Sequence, residues 1–392
     1  MTFRVLHIIG GSEFGGIVPY VASLVHMARS HGGEATVLAT DPRIVEYFSV
    51  RGIHVAQIRG IDRPVNPVRD LMGLRRLVRQ LRSEDYTVVH THTSKGGIIG
   101  RLGAHIASTP LVVHTTQGYA FSDYAGNPLS RWLFLLAEKL ATRWCDFIIA
   151  VNEADRQKAV EHHIVDTRKI VTIPNGIDLR DADRQLSAGG DQLFDELRID
   201  RRYPVVGAIA RLAPQKGLSF LIDAVPAILD RHPESQFVIA GSGDQLEDLE
   251  AQANRLGIPD RIRFAGFRTD IYRMLRVMNV FVMPSLWEGL PITLLEAMAA
   301  RCPIVATRIK GIVDVCGNAD VAALVEPGNS VGIADAVSNL LSDPNRAREM
   351  GQRARHHLES NFSDDMMIER TWAVYESIAR AKGLSLDVLS AP

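Results

Sequence analysis

Short apolar runs alternate along this chain with longer helix-like segments, in two successive series. The first series comprises Val5–Ile9, Ala35–Ala39, His54–Ile58, Thr87–His90, Leu111–His114, Phe147–Val151 and Lys169–Ile173. The second comprises Val205–Ala210, Gln236–Ala240, Arg261–Phe264, Val280–Met283, Ile304–Ala306 and Ala322–Val325. Strand followed by helix, repeated, builds parallel α/β architecture. At 392 residues the chain is long for one core, so two domains are expected. Arg180–Arg202 is polar, contains Gly189-Gly190 and reads as the linker, which sets domains at 1–185 and 186–363. Two doubly wound halves place a ligand cleft between them, at the C-terminal ends of the strands.

Charge removes several function classes. With 44 basic and 45 acidic residues the formal net charge is −1, so no global field points to nucleic acid. The three cysteines, Cys145, Cys302 and Cys316, lack metal or redox spacing and read as small buried hydrophobes in a reducing compartment. The N-terminal residues read as a first strand rather than a signal peptide. No apolar run approaches a membrane span.

The densest chemistry lies between Phe281 and Arg301. An apolar strand breaks at Pro284-Ser285, turns through Trp287-Glu288-Gly289, and enters a helix for which Pro291 suits the first position. A loop opening into a helix N-terminus offers free amides and a positive dipole end, a natural seat for phosphate. Glu288 lies in the loop and Glu296 about two turns into the helix. Arg211 and Lys216 follow an earlier strand in Ala210-Arg-Leu-Ala-Pro-Gln-Lys-Gly217. Such cations suit a leaving group that develops negative charge. Gly241-Ser-Gly243 and Gly266-Phe267-Arg268 follow two more strands.

The E-x7-E block and the R-x4-K-G turn together resemble the retaining glycosyltransferases of family 4, which have the GT-B fold. The resemblance implies two Rossmann-like domains facing across a cleft, with a last helix, here Asp364–Ala381, crossing back to the first domain. It implies that the first domain (with 364–392) takes the acceptor and the second a nucleotide-sugar donor. Arg211, Lys216 and the amides near Gly289 and Leu290 would hold the leaving diphosphate. Glu288 would take the sugar and Glu296 the ribose. Gly241 and Gly243 would line the donor cleft, and Phe267 and Arg268 would lie against the base. Gly10–Gly16 would close over the donor phosphates, with Gly15 and Gly16 the candidates. That loop does not spell a dinucleotide fingerprint, and no acid ends the second strand, so a dehydrogenase is disfavoured.

The first domain carries weaker signals. His90-Thr-His-Thr-Ser-Lys-Gly-Gly97 is similar to segments of capsule and exopolysaccharide members of the family. Its H-x-H lacks a carboxylate or third histidine at ligand spacing, so a metal is not expected. Where relatives carry histidine in a T-x-H-G pattern, this chain has Gln117, which hydrogen-bonds but cannot carry a proton. His114, three residues earlier on the strand, points to the other face and reads as a core or supporting residue. His92, Lys95, His114 and Tyr119 are the acceptor-side candidates, with the loop Ser122–Pro128. Pro67–Ser83 reads as a basic amphipathic helix, with Leu71, Leu74, Val78 and Leu81 at helical spacing, and Leu129–Trp144 as a strongly apolar one. Either suits a membrane surface or a packed core.

The expectation is therefore metal-independent, retaining transfer of a sugar from a nucleotide diphosphate sugar, UDP by family frequency, in surface polysaccharide synthesis. Glu288, Arg211, Lys216 and Gln117 are the catalytic candidates. The acceptor is a saccharide, or one linked to a polyprenyl carrier. No cofactor beyond the co-substrate is expected. The location is cytoplasmic, with peripheral contact at the inner face of the plasma membrane. The alternatives are a GT-B nucleotide-sugar epimerase and a catalytically silent sugar-nucleotide-binding subunit.

Overall fold

The structure, a computed structural model, describes residues 3–11, 15–61, 66–119, 128–189, 191–317 and 319–386. Most of the expected acceptor loop Ser122–Pro128, and Ser12, Glu13 and Phe14 of the first glycine loop, lie outside those residues. The chain divides into two compact units, Met1–Asn175 with Asp365–Pro392, and Gly176–Asp364.

The first unit is built on seven parallel strands: β1 (Arg4–Ile8), β2 (Glu34–Leu38), β3 (His54–Ala56), β4 (Val88–Thr91), β5 (Leu111–Thr116), β6 (Phe147–Ala150) and β7 (Ile170–Thr172), in the order β3-β2-β1-β4-β5-β6-β7. Alternate side chains take opposite faces. Val5 and Ile9 join the core that Val18, Leu24 and Phe48 form on one face, while Leu6 and Ile8 join Leu77 and Leu81 on the other. From Asp365 on, the helix Asp364–Ala381 belongs to this unit, where Met367, Val374, Tyr375 and Ile378 pack into the Val5 core.

The second unit has six parallel strands: β8 (Val205–Ile209), β9 (Gln236–Ala240), β10 (Ile262–Gly266), β11 (Val280–Met283), β12 (Ile304–Thr307) and β13 (Ala323–Val325), in the order β10-β9-β8-β11-β12-β13. In both sheets the order reverses once, between β1 and β4 and between β8 and β11. Open α/β sheets bind ligands outside the carboxyl ends of the strands at that reversal.

Three expectations need correction. The polar stretch Arg180–Arg202 is not a linker. It holds the helices Leu179–Ser187 and Asp191–Leu197. Asp178 caps the first through the amides of Arg180 and Asp181, Asp183 pairs with Arg355 at 2.8 Å, and Leu193 and Leu197 enter the core. The boundary accordingly falls at Asn175, before these helices, and not at 185. Pro291 is the N-cap, not the first residue, of the helix Ile292–Ala299. In the helix Pro67–Ser83 the deepest contacts are Leu77 and Leu81, whereas Leu71 is exposed.

Candidate functional site

The turns after β8 and β11 lie side by side, because those strands pair. The turn carrying Arg211 and Lys216 touches the turn carrying Glu288 backbone to backbone. Gly217 has φ +59°, and a Cβ there would stand 2.1 Å from the Pro284 carbonyl oxygen, so only glycine fits. The Leu286 amide donates to the Gln215 carbonyl at 2.8 Å, and Gln215 Nε2 donates to the Trp287 carbonyl at 3.0 Å. This bracing sets Lys216 Nζ 2.5 Å from Glu288 Oε1. Ser285 Oγ donates to the same oxygen at 2.7 Å. Glu288 Oε2 keeps no partner among the described residues. A carboxylate fixed through one oxygen presents the other to a hydroxyl ligand.

Above the helix Ile292–Ala299, the amides of Gly289, Leu290, Ile292 and Thr293 donate to no acceptor among the described residues. Arg211 is exposed and has no ion pair or side-chain hydrogen bond among them. Free amides, a helix N-terminus, the unpaired Arg211 and the Glu288-paired Lys216 therefore meet at one reversal point, an arrangement whose chemistry suits an anion.

Gly241 and Gly243 act through packing. A Cβ on either would stand 1.8 Å from the Ala210 carbonyl oxygen and 2.2 Å from that of Leu212, respectively. The Leu212 amide donates to the Ser242 carbonyl at 3.0 Å, so this glycine turn braces the one that bears Arg211. Gly311 does the same on the other side, with a would-be Cβ 2.5 Å from the Glu288 carbonyl oxygen. The sequence reading did not single out Ser285 or Gly311 as site residues. Part of the Glu296 residue reaches the surface, but its carboxyl is packed away from water, and that desolvation pushes it up to about 7. Arg268 is already committed: its guanidinium binds Asp270 at 2.6 and 2.7 Å and Glu196 at 3.2 Å, whereas Phe267 is exposed.

In the first unit most candidates are turned inward. His92 is fully buried, with Nε2 3.1 Å from His7 Nδ1, and cannot face an acceptor. His114 is buried against Thr91 Oγ1 at 2.8 Å, in line with a supporting role. Tyr119 is also buried, and Lys95 pairs with Asp70 at 2.6 Å. Gly96 and Gly97 pack on the Gly10 carbonyl and the His114 ring. Gln117 Oε1 accepts from Asn175 Nδ2 at 3.3 Å, while its own Nε2 is buried without a partner among the described residues. Gly15 is exposed at the N-terminal side of the helix Ile17–Ser30, and Gly16 caps that helix without a side-chain bond.

Contrary to the expectation from sequence, H-x-H does have a third histidine beside it. His7 on β1 joins His90 and His92, with ligand atoms within 4.8 Å. The surroundings are poor for a cation, however. Among the described residues no carboxylate belongs to the cluster and the outer nitrogens of His7 and His92 meet no acceptor that would orient them, while His90 is engaged at both ring nitrogens by Tyr375 and Thr115 at 2.7 Å. Burial holds His7 down at about 3 and His90 and His92 well below the usual imidazole range, so the three are neutral core groups.

Residues 14–181 match the family model described as Glycosyltransferase Family 4, and residues 191–357 match that for Glycosyl transferases group 1. The chain is 34% identical over 255 residues to an Escherichia coli UDP-Gal:alpha-D-GlcNAc-diphosphoundecaprenol alpha-1,3-galactosyltransferase, a match spanning 64% of this chain and 65% of that protein. It is 21% identical to the Staphylococcus aureus capsular polysaccharide biosynthesis glycosyltransferase CapM over 96% of this chain and 98% of that one. Among solved structures it is similar to Anabaena HepE in complex with UDP and glucose, with a TM-score of 0.82, 21% identity, and coverage of 96% of this chain and 100% of the other.

Proposed function

The chain belongs to glycosyltransferase family 4, and we propose that it moves a sugar from a UDP-sugar to a saccharide on a polyprenyl diphosphate carrier. The observation that carries this reading is the pairing of Lys216 with Glu288 beneath unpaired amides at the β8/β11 reversal. Arg211, Lys216 and the Gly289 and Leu290 amides hold the diphosphate. Glu288 Oε2 receives a sugar hydroxyl, and Glu296 receives the ribose hydroxyls. The bond from the anomeric carbon to the diphosphate oxygen breaks, and its electron pair stays on phosphate. The cations and amides stabilise that charge as it grows. The acceptor hydroxyl bonds to the same face, and its proton passes to the departing phosphate. Gln117 therefore needs only to hydrogen-bond. The relatives named above are transferases, which favours transfer over the epimerase alternative.

The first unit supplies the acceptor side, and we place it against an anionic membrane surface. Trp132, Leu133, Leu136 and Leu140 are exposed along the helix Pro128–Ala141, and Val68, Leu71 and Met72 along the helix Pro67–Ser83, which also exposes Arg69, Arg75, Arg76 and Arg79. The helix Ser94–Ala107 packs against both. Apolar side chains rimmed by arginine fit a lipid interface. No helix among the described residues is long and apolar enough to cross a membrane.

The test is release of UDP from a panel of UDP-sugars, with and without an N-acetylglucosaminyl polyprenyl diphosphate acceptor. Acceptor-dependent release that Lys216→Ala removes supports the reading. UDP binding without turnover on any sugar moves the silent-subunit alternative forward, and an isomerised sugar nucleotide made without acceptor moves the epimerase forward.

A further inference from the structure

The second unit carries a concave site that the donor turns leave unused. It lies at the opposite, N-terminal ends of the strands, where Pro204, Asn279 and Pro303 lead into β8, β11 and β12. Its volume is about 490 Å³. Four arginines line it, Arg201, Arg202, Arg301 and Arg348, and none of its lining residues is acidic. Met278 and Leu340, 6% and 4% exposed, form part of an apolar floor.

The arginines are not equivalent. Arg202 is fixed by Asp200, at 2.6 Å through Nη2, and Arg201 lies over the Phe194 ring. Arg348 Nη1 donates to Asn345 Oδ1 at 3.3 Å. Arg301 has no side-chain hydrogen bond or ion pair among the described residues. The helix Pro344–Asn361 begins at the rim; its cap Asp343 bonds the Arg346 amide, and Asp200, with Glu234 further off, offsets Arg202. Four arginines therefore line the pocket; Arg202 is engaged by Asp200, whereas Arg301 has no side-chain partner among the described residues. Arg301 also sits at φ +56°, just past the helix Ile292–Ala299, where glycine is the low-cost residue. Five other non-glycine residues among those described share such backbone, so the angle does not define the site, but it supplies a test.

We propose that this pocket is a second anion site that takes a small phosphate-bearing ligand. The arginines share the phosphate oxygens, and the body of the ligand lies on the Met278–Leu340 floor. Arginine suits phosphate because its donors form a planar fork. The same chemistry could come from a phosphorylated solute or from a phospholipid head group at a membrane surface.

The probe is inorganic pyrophosphate, titrated calorimetrically into the full chain at low salt. The wild type should bind one equivalent more than the double variant Arg301→Gln/Arg348→Gln. Any pyrophosphate held by the donor turns is common to both proteins, so the difference does not depend on the donor reading. Loss of two charged partners should weaken the extra site by at least about tenfold. Arg301→Gly separates site from scaffold: it should raise the thermal midpoint by relieving the backbone, and still weaken the extra site. Equal stoichiometry and affinity in wild type and double variant would overturn the proposal, as would undiminished binding in Arg301→Gly. Flotation with phosphatidylglycerol vesicles, carried out in a Trp132→Ser/Leu136→Ser background so that the first unit's apolar face does not hold the chain on the vesicle, identifies the source. Flotation lost in the double variant and competed by pyrophosphate assigns a head group; arginine-dependent pyrophosphate binding without it assigns a solute.

Discussion

Glu296 offers a quantitative test, because burial and ribose binding make opposite demands on its carboxyl. Its folded value is about 7 against a reference of 4.5, so the folded unit holds the proton more tightly than the unfolded chain does. Between those values the folded state carries more protons, and stability falls as pH rises. The cost of the buried carboxylate comes to about 3 kcal/mol at pH 8 and below about 1 kcal/mol at pH 5, taking about 1.36 kcal/mol per pH unit. Glu296→Gln keeps the shape and removes the charge. It should raise the midpoint of the second unit by about 6–12 °C at pH 8 and hardly at all at pH 5, at about 2–4 °C per kcal/mol.

Ribose asks for the reverse. An ionised carboxylate accepts both hydroxyls, so UDP should bind the wild type about tenfold more weakly at pH 6 than at pH 8, from the fraction ionised. UDP titrates in this range itself, but that contribution is common to Glu296→Gln and cancels in the ratio of affinities. The variant should be the more stable protein and the weaker binder. Calorimetric scans from pH 5 to pH 8.5 and UDP titrations over the same range provide both readouts. A stability difference that does not change with pH refutes the burial argument. A wild-type to variant affinity ratio that does not change with pH refutes the ribose assignment.

Four further outcomes follow from the geometry. Lys216→Ala should lower turnover about 100-fold, as loss of one oxyanion partner does, in a steady-state assay of UDP release. Gly217→Ala forces a Cβ toward the Pro284 carbonyl at positive φ and should cost about 1–3 kcal/mol or more, seen as a lower midpoint in denaturant. Trp132→Ser/Leu136→Ser should leave the midpoint unchanged while reducing sedimentation with anionic vesicles. Acid should weaken the first unit: His7 is held at about 3 when folded and near 6.5 when unfolded, so stability present above pH 6.5 is lost below it, by about 2 kcal/mol at pH 5. Calorimetry should show the first-unit transition falling between pH 7 and pH 5 while Glu296 strengthens the second.

The second unit was largely legible in the sequence because its site is assembled from turns that local chemistry specifies. Each turn follows a short apolar strand and is cut by Gly, Pro or Ser, and the cations and carboxylates stand at fixed distances from those breaks. Gly217, Gly241 and Gly243 read as turn residues, although their use as contact points between turns was not legible, since it depends on which strands become neighbours. The helices at Leu179–Ser187 and Asp191–Leu197 were missed because polar composition outweighed cap chemistry. Asp178 two residues before Arg180 was the available signal, and the partner that holds the segment, Arg355, lies 172 residues from Asp183.

The first unit was harder to read for a physical reason. Its histidines stand at strand ends, where ligands are expected, yet a strand shows only which residues share a face and not what covers that face. Here His7, His90 and His92 come from two adjacent strands, and the cover is a helix from the far end of the chain, whose Tyr375 hydroxyl reaches His90 Nδ1 at 2.7 Å. A single buried imidazole without partners would be costly, whereas a group that shares hydroxyls and ring contacts is tolerable as long as it stays neutral. H-x-H thus serves in this chain to seat the returning helix, and the acceptor role that the resemblance suggested for His92 does not fit its full burial. Lys95 and Gln117, only partly buried, are the residues of that group with surface left to meet a substrate.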